Sequence, residues 1–252
     1  MTTFALYNIK GGVGKTAAAV NLSYLASREG SATLLIDLDP QGSASFYFRL
    51  RPAKKFTSKK LLRGGKNIEG RVKGTDFLNL DALPSSLSFR KMDVVLGKLK
   101  KSKTRLSKVL RPLEAEYGYV FLDSPPNITL VSENIFAASD FLLIPVIPTT
   151  LAVMTYNKLI RFLEKRKYAD SKKVLPFFSM VEKRKKMHQE IMADLWRSDP
   201  SFLKTYIPYS ADVEKMGISR EPMAAKNRNS RAARAYADLW LEIKMRLEKG
   251  RR

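Results

Sequence analysis

The sequence predicts an α/β fold in which helices cover both faces of a mostly parallel, twisted sheet. Two observations support this prediction. Strand-like and helix-like segments alternate along the 252 residues, and several strand-like segments, such as 33–38 and 119–123, are almost continuously apolar. Strands have this composition when helices bury both of their faces. No internal repeat or domain linker is visible, so we expect a single domain over residues 1–252.

The order of the elements follows from the apolar patterns. A strand over residues 4–9 leads into a glycine-rich turn and then into a helix over 15–29. Residues 51–75 are rich in Lys, Arg and Gly and have little periodicity, so we expect a basic excursion on the surface there. Further apolar runs predict strands over 33–38, 77–83, 119–123, 141–146, 174–180 and 205–207, and helices over 89–99, 106–116, 151–165, 186–196 and about 230–248.

The formal net charge of +22 is spread unevenly along the chain. Residues 1–50 have a net charge of +1 and residues 112–150 a net charge of −5. In contrast, residues 51–111 hold 18 basic and 4 acidic side chains, and residues 151–252 hold 24 basic and 12 acidic ones. This charge exceeds the net charge of about 2–8 that suffices for the solubility of a small domain. It therefore predicts a polyanionic partner, either a nucleic acid or an anionic membrane surface.

The chain contains no cysteine, which excludes disulfides, thiol nucleophiles and cysteine-ligated iron–sulfur clusters. No apolar run approaches the ~18 residues that are needed to span a bilayer. The first residues enter a strand-like stretch without the basic start of a signal peptide. We therefore expect a cytoplasmic protein. The only histidine, His188, has no second His and no Cys with which to form a metal site.

A glycine-rich segment follows the first predicted strand, and residues 10–16 read Lys-Gly-Gly-Val-Gly-Lys-Thr. Its tail matches the P-loop pattern, although Ile9 occupies the position of the first glycine in that pattern. Glycines let backbone N–H groups wrap round phosphate oxygens, and the start of the next helix adds positive potential. Lys15 would bridge the β- and γ-phosphates, and the Thr16 hydroxyl would bind Mg²⁺. The predicted ATP-binding residues are Lys10, Gly11, Gly12, Val13, Gly14, Lys15, Thr16 and Ala17.

Carboxylates follow two other predicted strands: Asp37 and Asp39 lie in Asp-Leu-Asp-Pro-Gln-Gly at 37–42, and Asp123 lies in Asp-Ser-Pro-Pro at 123–126. Ligands of open parallel sheets bind at the carboxyl ends of the strands, so both segments should face the glycine-rich loop. Asp123 suits the Walker B role of holding Mg²⁺ through water, and Asp39 suits the activation of the attacking water. Asp37 suits support of the Mg²⁺ shell; for each Asp, a helix cap or turn is the alternative role. The predicted catalytic residues are Lys15 and Asp39, with Lys10 as a third that only the family resemblance given below implies, and the predicted metal-site residues are Thr16, Asp37 and Asp123.

With these segments in place, the chain resembles the ParA/MinD family of deviant Walker ATPases, specifically the small ParA-like proteins that partition DNA or position cargo. The resemblance rests on the segments at 10–16, 37–42, 123–126 and 144–149, the last of which reads Ile-Pro-Val-Ile-Pro-Thr. These matches occur in the family's order and span most of the chain. A softer match lies near the C-terminal end at Ser230, Ala232, Ala233, Tyr236 and Leu239.

The resemblance implies a cycle of ATP-dependent association. Two protomers would sandwich two ATP molecules, and Lys10 would reach the partner's phosphates. ATP binding and dimerisation would then be thermodynamically coupled. The homodimer would bind DNA without sequence preference, and a ParB-like or cargo-adaptor protein would stimulate hydrolysis. Repeated cycles would position a plasmid, a chromosome region or a protein cargo over the nucleoid. The implied location is thus cytoplasmic and nucleoid-associated.

Basic residues after position 180 are the candidates for DNA contacts, because Lys and Arg bind phosphates without sequence preference and in a salt-dependent manner. The charge over 51–111 is unusual for the family and fits a second DNA surface or a cargo-docking patch. Tyr209 stands where an Arg often contacts DNA, and Ser179 where an Asn often lies near the adenine. Pro208 is a candidate for stacking on the base, with a strand-ending turn as its alternative. The candidate DNA-binding residues are Lys183, Arg184, Lys185, Lys186, Lys204, Lys215, Arg220, Lys226 and Arg228.

Three alternatives stay open. A MinD-like protein would bind a membrane surface through its amphipathic C-terminal helix, although packing of that helix on the core is favoured. A metabolic P-loop ligase has no need of such a charge, and a metal-cluster carrier would need cysteines. The presence of Lys10, Lys15 and Asp39 argues against a nucleotide-gated scaffold that hardly hydrolyses ATP, although slow turnover stays open. The apolar positions of the C-terminal helix are Leu239, Trp240, Ile243 and Leu247.

Overall fold

The structure is a computed structural model that describes residues 1–168 and 173–250. Its strands are β1 (Thr2–Leu6), β2 (Thr33–Asp37), β3 (Lys73–Gly74), β4 (Leu80–Leu83), β5 (Tyr119–Asp123), β6 (Phe141–Val146) and β7 (Val174–Phe178). Its α-helices are α1 (Lys15–Arg28), α2 (Ser43–Tyr47), α3 (Ser58–Arg63), α4 (Lys66–Glu69), α5 (Met92–Gly97), α6 (Arg105–Leu110), α7 (Leu130–Ala138), α8 (Thr150–Lys165), α9 (Lys186–Ser198), α10 (Ala211–Glu214), α11 (Met216–Ser219), α12 (Met223–Asn227) and α13 (Arg231–Gly250). Turns of 3₁₀-helix at 87–91, 102–104 and 111–115 flank α5 and α6.

The strands form one sheet in the order β3-β4-β2-β5-β1-β6-β7. Every pairing is parallel except that of β3 with β4, which is antiparallel and only two residues long. Because β1, β2 and β5 are adjacent and parallel, their carboxyl ends lie at the same edge of the sheet. The predicted fold class, a mostly parallel sheet between two helical layers, is confirmed.

Alternate residues of the strands face two separate apolar clusters, as the two-residue period of a strand requires. Leu34 and Ile36 point to the first face, where they pack with apolar residues of helices α3 and α5–α9. Leu35 and Phe121 point to the second face, where they pack with residues of α1, α2 and α11–α13. The strand segments are therefore covered on both sides, which explains their continuous apolar sequences.

Residues 51–75 contain α3 and α4, and they bury Phe56, Leu61 and Ile68 in the first cluster while exposing most of their Lys and Arg side chains. One prediction for a short segment is wrong. Residues 205–207 do not form a strand. They run along the edge of β7 instead, where the N–H of Ile207 donates to the carbonyl of Phe178 at 2.8 Å and only an isolated bridge forms, between Val181 and Pro208.

The apolar stripe of α13 is buried in the second cluster. Leu239 and Ile243 are fully buried, Trp240 is 2% exposed and Leu247 is 9% exposed. The Trp240 ring makes edge contacts with Phe4, with ring centroids 5.9 Å apart. This stripe is used for packing, which removes the feature on which the membrane-surface alternative depended. In the part of the chain that the structure describes, no helix is both long and apolar enough to cross a membrane.

Candidate functional site

The glycine-rich loop leaves the carboxyl end of β1 and ends at the start of α1. Gly12 has φ +70° and Gly14 φ +91°, a left-handed conformation that favours glycine. Asn8 fixes the start of the loop, because its buried side chain donates to the carbonyl of Pro145 at 2.8 Å and accepts from the N–H of Lys10 at 2.9 Å. The loop geometry therefore depends on Asn8, a residue that the sequence analysis did not single out.

Lys15 opens α1, and its side chain turns back into the loop. Lys15 as a residue is 7% exposed, and its ammonium group donates to the carbonyl of Lys10 at 3.1 Å. Burial lowers the pKa of Lys15, and the charges of Asp123 and Asp39 oppose this shift. The side chain of Lys10 itself is exposed. One lysine thus lies inside the loop and the other points outward from it.

Asp37 ends β2 and is fully buried. Its Oδ2 accepts from the Ser45 N–H at 2.8 Å and from the Ser45 hydroxyl at 2.6 Å, while its Oδ1 accepts from the Asp39 N–H at 3.2 Å. Burial raises the pKa of Asp37 to about 6, and the hydrogen bonds from Ser45 limit the rise. Because both oxygens already have donors, Asp37 is better suited to holding the Asp39 turn than to direct metal coordination.

A second serine completes the support of Asp39. The hydroxyl of Ser45 accepts from the N–H of Ser85 at 2.8 Å, and the hydroxyl of Ser85 donates to the carbonyl of Asp39 at 2.5 Å. Asp39 is half-buried, and its Oδ1 accepts from the Gln41 N–H at 2.9 Å. Its Oδ2 makes no hydrogen bond to a described residue and is available to a ligand or a water molecule. Ser45 and Ser85 are the other site residues that the sequence analysis missed.

Asp123 ends β5 and lies between the other two strand ends, since its Cα is in register with Asp37 of β2 and with Leu6 of β1. Both of its carboxylate oxygens are buried and have no hydrogen-bond partner among the described residues. Burial raises the pKa of Asp123 well above its usual range, and the charge of Asp37 raises it further. Thr16 and Lys15 act in the opposite direction, although the Thr16 hydroxyl does not reach hydrogen-bond geometry with this carboxylate.

The donor set at this edge fits Mg²⁺. Burying a carboxylate without a hydrogen-bond partner costs free energy. The two oxygens of Asp123 need hydrogen-bond donors, and water molecules coordinated to a hard cation can supply them. The Thr16 hydroxyl lies beside Asp123 and offers a further oxygen. Among the described residues, no group of three or more His, Cys, Asp or Glu side chains forms a metal site. The ion would thus depend on phosphate and water oxygens for most of its ligands, as in Mg-nucleotide sites.

The residues predicted near the adenine lie on the other side of the loop. Ser179 follows β7, and its hydroxyl is 2.9 Å from the position that a Cβ on Gly14 would occupy. Pro208 is buried and is bridged to Val181, two residues further along the chain from Ser179. Pro208 also lines a cavity of about 450 Å³ together with Lys204, Thr205, Tyr206, Asn229, Arg231, Arg234, Ala235 and Asp238. Its contact with a base stays a prediction.

The predicted DNA-binding residues lie on the surface but differ in what they contact. Residues 183–186 are exposed where the chain enters α9. Two of these lysines form ion pairs, Lys185 with Glu182 at 2.6 Å and Lys186 with Glu190 at 3.6 Å. Exposed pairs of this kind are weak and can exchange for phosphate contacts.

Two other DNA candidates have packing roles. Lys204 donates to the carbonyl of Trp196 at 3.1 Å. Arg220 donates from Nε to the carbonyl of Phe46 at 3.1 Å, and its guanidinium carbon lies 4.1 Å from the centroid of that ring. These contacts favour a structural role for both side chains. The remaining candidates are exposed and make no ion pair with a described residue: Lys215, Lys226 and Arg228.

Comparison with known proteins agrees with this geometry. A family model described as an AAA domain matches residues 1–175. The chain is 30% identical over 247 residues to the chromosome-partitioning ATPase Soj of Treponema pallidum, which covers 96% of each chain.

Two solved structures share the fold. A putative plasmid partition protein of Borrelia burgdorferi bound to AMPPNP has a TM-score of 0.83 and 23% identity, covering 98% of this chain and 99% of that one. Cobyrinic acid a,c-diamide synthase of Mycobacterium smegmatis has a TM-score of 0.83 and 20% identity, covering 99% of this chain and 96% of that one. At these identities the likeness shows the fold alone, which a partition protein and a synthase share. Sequence relatedness to Soj and the extent of the family match instead show that the chain belongs to the ParA/MinD family of P-loop ATPases, within its partitioning subgroup.

Proposed function

We propose that this protein hydrolyses ATP in a cycle that couples a homodimer to nonspecific, nucleoid-associated DNA binding, with hydrolysis stimulated by a partner protein. The observation that carries the proposal is the buried Lys15 ammonium group inside a left-handed glycine loop, next to the unpartnered Asp123 carboxylate. A buried cation and a buried anion that do not satisfy each other leave room for a phosphate and its counterion.

Within one protomer, the loop and its neighbours have separate tasks. The N–H groups of residues 11–16 and the start of α1 would bind the phosphates, and Lys15 would leave the Lys10 carbonyl to contact the β- and γ-phosphate oxygens. Mg²⁺, bound near Thr16 and Asp123, would add positive charge at the same phosphates. Asp39 would orient the attacking water through its unused Oδ2, and Asp37 would keep Asp39 in place.

The exposed Lys10 supports the role in dimerisation. Its backbone is fixed by Asn8 and by the Lys15 ammonium group, whereas its side chain is exposed and makes no ion pair with a described residue. A lysine that is anchored at the loop but directed outward is suited to a phosphate in a facing protomer. Association would then depend on the triphosphate, because the partner's phosphates supply the negative charge that Lys10 needs.

DNA co-sedimentation with ATP, ADP or no nucleotide, on the wild type and on Asp39→Ala, tests the whole cycle. We expect ATP-dependent co-sedimentation of the wild type and persistent binding by Asp39→Ala, which should trap the ATP-bound dimer. Lys10→Ala should stay monomeric with ATP by light scattering while still binding the nucleotide. If Lys10→Ala forms a normal dimer with ATP, Lys10 does not act on the partner's phosphates. If Asp39→Ala hydrolyses ATP at the wild-type rate, Asp39 is not part of the mechanism.

A further inference from the structure

Seven exposed cations of residues 51–111 lie on or next to helices that pack on the first face. Helices α3 and α4 contribute one group of exposed cations, and the connection from α5 to α6 contributes another. We name this surface the basic ridge, and its members are Lys59, Arg63, Lys66, Lys98, Lys100, Lys101 and Lys108.

A clamp joins the two groups of cations. Arg105, at the start of α6, donates from Nε to the carbonyl of Leu62 at 2.5 Å and from Nη2 to the carbonyl of Arg63 at 3.2 Å. The next residue, Gly64, has φ +72° and lies against α6, where an added Cβ would be in ordinary contact with the Cα of Val109 at 3.5 Å. Because α3 ends directly against α6, the exposed side chains of Arg63 and Lys108 start from neighbouring backbone. The ridge is therefore continuous across the two elements.

No ridge cation forms an ion pair with a side chain that the structure describes. Within those described side chains, Lys103 is the one cation over 51–111 that does, with Glu133 at 2.8 Å. Two carboxylates of the same segment are used elsewhere: Asp81 accepts from the hydroxyl of Tyr117, and Asp93 accepts from a backbone N–H of α7. Like charges held together in this way repel one another and concentrate polyanions at the surface.

The ridge segments themselves expose charge and no large apolar side chain; Val94 of α5, one turn before Lys98, is the nearest exposed one in sequence among the described residues. The aliphatic side chains of α3 and α6, such as Leu61 and Leu106, are buried, and no exposed large hydrophobic residue lies within 56–66 or 98–111 of the described chain. Protein interfaces depend on buried aromatic and aliphatic anchors, whereas contacts with a DNA backbone depend on Lys and Arg. This composition favours nucleic-acid phosphates over an acidic protein segment.

We propose that the basic ridge binds the phosphate backbone of duplex DNA without requiring ATP, as a second surface beside the ATP-dependent one. Its helices α3 and α6 pack on the first face of the sheet, whereas the candidates Lys215, Lys226 and Arg228 lie on or next to α10–α12, whose Met216 and Met223 pack on the second face. The ridge therefore lies on the opposite face of the sheet from these three candidates, whereas the candidates at 183–186 adjoin α9 on the same face as the ridge. A protomer that uses both faces would hold two DNA segments, which goes beyond the proposed cycle.

Fluorescence anisotropy with a short labelled duplex, in EDTA and without nucleotide, tests this proposal over a range of salt concentrations. Replacing three ridge lysines with Gln should weaken binding roughly tenfold or more and reduce the salt slope by about 2.7, or about 0.9 per lost phosphate contact. A matched control removes three exposed cations from α8 and should bind within about twofold of the wild type. The ridge substitutions are Lys98→Gln, Lys100→Gln and Lys108→Gln, and the control substitutions are Lys158→Gln, Arg161→Gln and Lys165→Gln.

A Lys→Arg variant at the same three ridge positions keeps the charge and should bind like the wild type, which separates charge from fold. Unchanged binding by the Gln variant, or an equal loss in the α8 control, would overturn the proposal. Tighter binding of polyglutamate than of the duplex would also overturn it, in favour of an acidic protein partner. The ATP-stimulated binding of Asp39→Ala is measured in parallel; its absence, with nucleotide-free binding intact, counts against the proposed cycle and not against the ridge.

Discussion

Gly14→Ala probes how tightly the nucleotide loop is packed. Gly14 has φ +91°, and an added Cβ would lie 2.9 Å from the Ser179 hydroxyl. Gly12 is a matched control, because its φ of +70° is also left-handed but its added Cβ would meet nothing within 4 Å. Both substitutions therefore place a Cβ in the left-handed region, but only Gly14→Ala adds a steric overlap with Ser179.

The structure sets the size of each effect. A residue with a Cβ in the left-handed region costs about 1–2 kcal/mol, which is the expected loss for Gly12→Ala. Gly14→Ala adds the overlap with Ser179, which we place near the lower end of the roughly 1–3 kcal/mol of overpacking, because a serine hydroxyl can rotate away. Ser179→Ala removes the clashing oxygen, so the double variant should recover about 1 kcal/mol relative to Gly14→Ala.

Urea unfolding of the nucleotide-free protein, followed by far-UV circular dichroism, measures these differences through the midpoint at constant slope. The expected order of stability is wild type, then Gly12→Ala, then Gly14→Ala, with partial rescue by Ser179→Ala. Equal losses at Gly12 and Gly14, with no rescue by Ser179→Ala, would refute the packing of Gly14 against the end of β7.

Three further predictions concern charges and hydrogen bonds at the site. Asp123→Asn should raise the Tm of the nucleotide-free protein at pH 8, and should raise it by less at pH 5. The pKa of Asp123 is raised in the folded state, so the carboxyl favours folding only at low pH and loses this contribution as the pH rises. Calorimetry that gives the same difference in Tm at both pH values would contradict this prediction. Ser45→Ala should lower the free energy of unfolding in urea by about 1–3 kcal/mol, because Asp37 loses a donor and the Ser85 N–H loses its acceptor. A loss below about 0.5 kcal/mol would show that this hydrogen-bond network contributes little to stability. Lys15→Ala should abolish ATP binding by calorimetric titration while the fold is retained, and near-normal affinity would place the phosphates elsewhere.

The sheet was predictable because burial on both faces leaves a strong mark in the sequence. Segments such as 33–38 and 141–146 are apolar at nearly every position, and only a strand covered on both sides requires this. The segment 51–75 gives no such signal. Its core residues Phe56, Leu61 and Ile68 are separated by lysines and glycines at irregular spacing, since two short helices cannot establish a helical period.

Site residues that belong to a rare sequence pattern could be predicted, whereas site residues of a common type could not. The glycine loop and the Asp residues at strand ends are recognisable because their types and spacing are restricted. Ser45 and Ser85 are 40 residues apart, and nothing local distinguishes them from other serines. Their importance arises only when α2 and the end of β4 meet beside Asp37.

Both outer strands of the sheet are closed to strand addition. On one side, β3 is antiparallel and only two residues long. On the other side, the N–H groups of Leu203 and Ile207 donate to the carbonyls of Pro176 and Phe178, both at 2.8 Å. Unprotected edges invite irreversible growth of one sheet onto another. The sheet edges thereby avoid fibril-like association, and copies of the chain that meet must do so through side-chain contacts.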